Sequence, residues 1–114
     1  MHELSVAMSL LDAAEEEAEH HDGRVQAIHL KLGPLSGVVK EALLSAFEMA
    51  REGTSMAGAS LLIEETPVVV YCPKCQARRE LASIQTFACP VCGSPVSEVV
   101  KGKELEMVAL EMES

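Results

Sequence analysis

Two tight cysteine pairs constrain this chain more than any other feature. They read Cys72-Pro-Lys-Cys75 and Cys89-Pro-Val-Cys92, with thirteen residues between them. Thiolates two residues apart can both face one tetrahedral ion across a tight turn. Two such turns, brought together by a hairpin, make a four-sulfur shell. Each proline fixes φ at the start of its turn. Gly93, just after the second pair, permits the left-handed backbone that aims N–H groups at sulfur. Gln76 holds the matching place after the first pair, so that turn is expected to be strained or to differ. No apolar run reaches the roughly 18 residues of a membrane span, and the acidic start Met1-His2-Glu3 carries no basic leader. The expected compartment is therefore the cytosol, where thiols stay reduced and such a pattern reads as a metal site rather than as disulfides. Zinc(II) is the expected occupant; rubredoxin-type iron uses similar turns, and free pairs would make a redox dithiol. A closed S₄ shell has no open position for substrate, so the site is expected to be structural.

The rest of the chain sorts by periodicity. Between Glu3 and His21 the apolar positions Leu4, Ala7, Met8, Leu11, Ala14 and Ala18 step by three and four, predicting one buried helix stripe, with Glu15, Glu16, Glu17 and Glu19 largely off it. Asp22-Gly23 ends that helix. Arg24 to Leu32 alternates as a half-buried strand, broken by Gly33-Pro34. Ser36 is the expected N-cap of a second helix buried through Val39, Leu43, Ala46, Phe47 and Ala50, and closed by Gly53. Ala59–Thr66 and Val68–Tyr71 read as strands split by Pro67, and Leu105–Met112 as a last strand returning to the main sheet. The expected class is α+β: a small two-helix, mostly antiparallel-sheet domain at 1–66 plus 103–114, interrupted by a zinc-ribbon domain with rubredoxin-like knuckles at 67–102. Val68, Val69, Ile84, Phe87 and Val91 are the candidate minor core of that insert.

Composition narrows function. With 9 Lys plus Arg against 18 Asp plus Glu, the formal charge is −9. Nucleic-acid binding needs clustered cations and stacking rings, and the insert offers Lys74, Arg78, Arg79 and Lys101 with only Tyr71 and Phe87, so a nucleic-acid module is the weaker reading. An enzyme is not expected: there is no recognisable carboxylate–histidine motif, no Gly-rich phosphate loop and no cysteine outside the two pairs.

The first three residues offer a second kind of site. Methionine is normally retained before a residue as large as His2, which leaves the Met1 amine as a donor. The Met1 amine and the His2 amide nitrogen close a five-membered chelate; the same amide and the imidazole Nδ1 close a six-membered one. Planar nitrogen donors favour Ni(II) or Cu(II) over zinc. The α-amine, with an ordinary pKa of about 7.7–8.0, is freed at neutral pH at little cost, and Glu3 is placed to add a carboxylate or to orient the imidazole. A histidine at position two is common by chance. His20-His21-Asp22 reads as an exposed helix end and His29 as a strand-surface residue.

Met1-His2-Glu3-Leu4-Ser5, Leu32-Gly33-Pro34-Leu35-Ser36, Ser45-Ala46-Phe47-Glu48 and the two Cys-Pro-x-Cys pairs, in this order and spacing, resemble the HypA/HybF family of [NiFe]-hydrogenase maturation factors. The resemblance implies a nickel metallochaperone: a small α/β nickel domain with an inserted zinc ribbon, working with a HypB-type GTPase to deliver nickel to the hydrogenase large-subunit precursor. Some members also serve urease maturation. By position it implies nickel binding by His2 with the Met1 amine, an acidic role for Glu3, and zinc binding by Cys72, Cys75, Cys89 and Cys92. Some relatives place a carboxylate just after the Ser-x-Val turn; here that position is Val39, with Glu41 close by.

Overall fold

The computed structural model describes residues 3–113. It places α1 at Glu3–Ala18, β1 at Arg24–Leu32, α2 at Lys40–Ala50, β2 at Ser60–Glu65, β3 at Val68–Cys72, β4 at Ala77–Leu81, β5 at Glu98–Lys101 and β6 at Leu105–Glu113. The strand and helix order follows the hydrophobic periods, and β1 has the expected bounds. Two strands, β4 and β5, complete the cysteine-bearing insert.

The buried stripe of α1 is Val6, Ala7, Leu10, Leu11 and Ala14. This corrects the expected one, since Leu4 and Met8 are 46% and 53% exposed. Leu-rich helices carry overlapping stripes, and tertiary packing chooses between them. Here α1 packs on both α2 and β1, which selects a broader face centred on Leu10 and Leu11. The start of α2 also differs from expectation. The Ser36 hydroxyl accepts the Val38 N–H at 3.2 Å and so closes a turn, with Gly37 at φ +83°, instead of capping a helix. The helix begins at Lys40, behind an extended Val39 that has no side-chain cap. Val38 is therefore buried and Val39 is 57% exposed, the reverse of the expected pattern.

The main sheet has the order β2-β1-β6. A helical crossover joins β1 to β2, so these strands run parallel, with Leu30 opposite Ile63. The final strand does return, antiparallel to β1, with Leu32 opposite Leu105. The sheet is thus mixed, half parallel and half antiparallel, because a helix rather than a hairpin links its first two strands. A bulge between Val25 and Ala27 turns Val25 inward and leaves Ala27, His29 and Lys31 on the other face. Phe47, Ile28, Leu30, Leu43 and Met56 are fully buried between helices and sheet. Each such side chain contributes about 1.5–3 kcal/mol of apolar transfer.

The second sheet, β4-β3-β5, has its own small core of Val68, Val70, Leu81 and Val96 around Cys72 and Cys89. Strand alternation puts Val68, Val70 and Cys72 inward and leaves Val69 half-buried. Phe87 packs there as expected, whereas Ile84 and Val91 are 43% and 68% exposed, lying in turns outside the strands. The radius of gyration is 17.4 Å and the extents are 52 × 24 × 16 Å. One compact body of this length would have a radius of about 13 Å, so two cores sit end to end.

The chain crosses between them twice, at one crowded point. Gly33 N–H donates to the Glu104 carbonyl at 2.8 Å and Leu35 N–H to the Gly102 carbonyl at 2.7 Å. A Cβ on Gly33 would lie 2.2 Å from the Gly102 carbonyl oxygen. The Glu104 carboxylate accepts the Thr66 hydroxyl at 2.8 Å and the Gly102 N–H at 2.9 Å. Its own backbone N–H, then the Thr66 hydroxyl, hold its pKa below the ordinary carboxylate value.

Candidate metal centres

The cysteine turns come together as the spacing requires. The four Sγ atoms all lie within 4.8 Å of one another, with Cys72 to Cys92 at 3.6 Å and Cys75 to Cys89 at 3.8 Å. A tetrahedral zinc with Zn–S bonds of about 2.3 Å has sulfur–sulfur edges of about 3.8 Å. Two opposite edges of the sulfur cluster match that length and every other separation stays within 4.8 Å, so the donor set fits a tetrahedral zinc.

Each turn has the backbone its sequence foretold. Gly93 adopts φ +77° and donates its N–H to the Cys89 carbonyl at 2.8 Å. Gln76 takes φ +55°, the one non-glycine residue with positive φ among those described, and bears the strain expected at that place. Backbone N–H groups meet sulfur: Cys75 N–H donates to Cys72 Sγ at 3.4 Å. The N–H of Cys92, and beyond it that of Val91, pull the Cys89 thiol down to about 6 against the burial that opposes them. Ser94, through its side chain and backbone, lowers Cys92. The Arg79 guanidinium pulls Cys75 down, but Cys92, burial, Cys72 and Cys89 together leave it raised to about 11. Four thiols this close cannot all ionise without a cation among them.

Met1 and His2, the principal expected nickel donors, lie outside the described residues. Glu3 is the third of that set. It stands in the first turn of α1, where a carboxylate complements the helix dipole. Its Oε2 accepts the Val39 N–H at 3.2 Å. It thereby serves the N-terminus of α2, whose own cap residue brings no side-chain oxygen. Sequence reasoning missed this bond between the starts of the two helices; Val39 standing where a capping residue belongs was the available clue. Glu41 lies exposed in the first turn of α2. His20 and His21 are exposed past the end of α1, and His29 faces Glu111 across β1–β6 with Nε2 3.4 Å from Oε2. Among the described residues none of these histidines joins a metal-competent cluster; only the four cysteines do. No described helix is long and apolar enough to cross a membrane.

Comparison with known proteins agrees with this geometry. A family model described as hydrogenase/urease nickel incorporation, metallochaperone, hypA matches residues 1–112. Hydrogenase maturation factor HypA of Chloroflexus aurantiacus is 49% identical over 112 residues, covering 97% of this chain and 98% of the relative. Its counterpart from a Roseiflexus species is 48% identical, covering 99% and 93%. The solution structure of the Ni metallochaperone HypA from Helicobacter pylori superposes with a TM-score of 0.66 at 30% identity, covering 98% of this chain and 97% of that one. A second HypA solution structure superposes at 0.71 with 29% identity, covering 99% and 97%. With the four-sulfur cluster, the two-helix mixed sheet and whole-length similarity all in agreement, the chain belongs to the HypA family of nickel-incorporation metallochaperones in hydrogenase maturation, which are not enzymes.

Proposed function

We propose that this protein carries Ni(II) as cargo on its first residues and holds Zn(II) permanently in its insert. The Met1 amine, the His2 amide and the His2 imidazole take nickel in a nitrogen-rich plane, and Glu3 supports them from the start of α1. Cys72, Cys75, Cys89 and Cys92 hold the zinc, which supplies a cross-link and no reaction chemistry. We divide the chain into a nickel domain at 1–66 plus 103–114 and a zinc-ribbon domain at 67–102, a reading supported by the two separate hydrophobic cores. Nickel passes, with a HypB-type GTPase, to the precursor of a hydrogenase large subunit, and the family's urease connection extends the client class.

The observation that supports this reading best is the pairing of family membership with the Glu3–Val39 bond. A carrier must bind firmly yet release. Donors at the end of a chain can be peeled away one at a time, while Glu3, tied to α2, gives them a fixed base. Amide ligation also needs lost protons, so affinity rises with pH and acid favours release.

The test is nickel titration of zinc-loaded wild type against His2→Ala. The variant is expected to lose high-affinity uptake while keeping its zinc. Equal nickel affinity in the two proteins overturns the site, and unchanged binding after a tag is fused ahead of Met1 removes the amine from it.

A further inference from the structure

The four cysteines form a shell whose charge the rest of the insert must balance. One Zn(II) with four thiolates carries a net charge of −2, and a half-buried site tolerates that only with donors or cations at the sulfurs. Backbone N–H groups serve Cys72 and Cys89, and Ser94 serves Cys92. Cys75 has no such backbone partner among the hydrogen bonds of the described residues.

Arg79 stands in the place that answers this. In β4 the alternation is Ala77 inward, Arg78 outward, Arg79 inward, Glu80 outward and Leu81 inward. Arg79 is thus an arginine on a core-facing position, opposite the fully buried Val70 of β3 and two residues along from the Cys72–Ala77 pair. Its Nε is buried without a hydrogen-bond partner, the one such side-chain atom among the described residues. No carboxylate there pairs with it either. A buried guanidinium N–H left unpaired costs about 1–3 kcal/mol, more for a charged group, so a long flexible cation that could reach solvent would ordinarily do so. The Cys75 and Cys89 thiols lie beside its guanidinium and favour its charged form.

We propose that Arg79 is a positioning residue for the zinc centre: from the inner face of β4 its guanidinium donates to the Cys75 and Cys89 thiolates, offsets half of the cluster's charge and blunts their nucleophilicity. This rests on the zinc reading above and adds to it. The consequence is separation of the two metals' fates. Thiolates so occupied resist electrophiles, oxidants and competing metals, and the insert keeps its ion while the other end of the molecule exchanges its own.

The experiment uses the full chain loaded with zinc, and in parallel with Co(II) as a spectroscopic stand-in, comparing wild type, Arg79→Gln and Arg79→Lys. Removing a donor and a positive charge from thiolate sulfur raises its electron density. The expected results for Arg79→Gln are alkylation by iodoacetamide several-fold faster than wild type and a sulfur-to-cobalt charge-transfer band moved to lower energy, with the tetrahedral d–d bands retained. Arg79→Lys, which keeps the charge but loses the two-pronged fork, is expected to lie between them. Unchanged alkylation and an unmoved band in Arg79→Gln overturn the proposal. If Arg79→Gln loses the d–d bands altogether, Arg79→Lys decides: behaviour identical to wild type in both readouts overturns the proposal, because an ammonium cannot reproduce the fork on two sulfurs. Wild type without tetrahedral thiolate bands would instead sink the four-sulfur metal site itself, a different and distinguishable failure.

Discussion

The two halves of this molecule are held together by different physics. Around β1 the chain buries Phe47, Ile28, Leu30, Leu43 and Met56 between helices and sheet, and oil-like transfer suffices. The three short strands of the insert bury Val68, Val70, Leu81 and Val96, too little apolar surface for a stable unit of that length. Cys72 and Cys89 are buried in that second core beside Val70, so its interior is part sulfur where the first is wholly hydrocarbon and thioether. Under the proposed function, an ion held by the four cysteines closes this small, turn-rich segment.

Breaking that contrast should give effects of graded size. The largest is expected from metal removal. Chelation forfeits an apparent binding energy of about 10–16 kcal/mol, Cys89→Ser forfeits part of it, and either should loosen or unfold the insert while the helical circular dichroism persists. Loss of both signals together would show one cooperative unit. Next comes the mirror experiment on the apolar half. Phe47→Ala is expected to cost about 3–5 kcal/mol in denaturant unfolding, with one zinc per chain retained; zinc lost in step with the helices would contradict the division. Third, the crossing point can be opened. Gly33→Ala drives a methyl into the Gly102 carbonyl and is expected to cost about 1–3 kcal/mol by overpacking. Small-angle scattering should then report a changed distance distribution between two intact halves. The smallest effect concerns acid. Because the Glu104 carboxyl is held below its ordinary range, its contribution is complete above the unfolded carboxylate value and is lost as pH falls through the lowered folded one. Glu104→Gln should flatten that acid limb in pH-dependent melting and leave neutral-pH zinc content unchanged.

Where sequence patterns spoke of one strong local rule, they were legible. The Arg24–Leu32 alternation gave β1 to the residue, and the positive φ at Gly93 followed from the knuckle geometry, while at Gln76 the structure chose the strained backbone over a different turn. Misreadings arose where two local rules competed. Leu4 and Met8 fit a helical stripe as well as Val6 and Leu10 do; only the position of α2 decides, and that is tertiary information. Ser36 looks like a helix cap, yet Gly37 lets the chain turn first, so the serine closes a turn and a valine is left to start the helix. Ile84 and Val91 were apolar in a region short of apolar residues, but both fall in turns, where backbone geometry outranks hydropathy. For the site, spacing announced the four cysteines, whereas the inward Arg79 was hidden: an Arg-Arg pair in an alternating strand does not say which member faces the core.

One consequence of the topology lies in where the insert is spliced. Leu32 of β1 has Glu65 of β2 on one side and Leu105 of β6 on the other, so the exit to the sulfur-bound unit and the re-entry from it flank a single residue, about 10 Å apart across two strand spacings. A short glycine-rich loop spans that gap. The unit is consequently a cassette: it can be cut out and the scar closed, or another metal knuckle grafted in, without re-threading the helical half. Such an edit would keep the leading residues with the helical half, a direct way to ask whether the proposed nickel site works without the sulfur-bound unit.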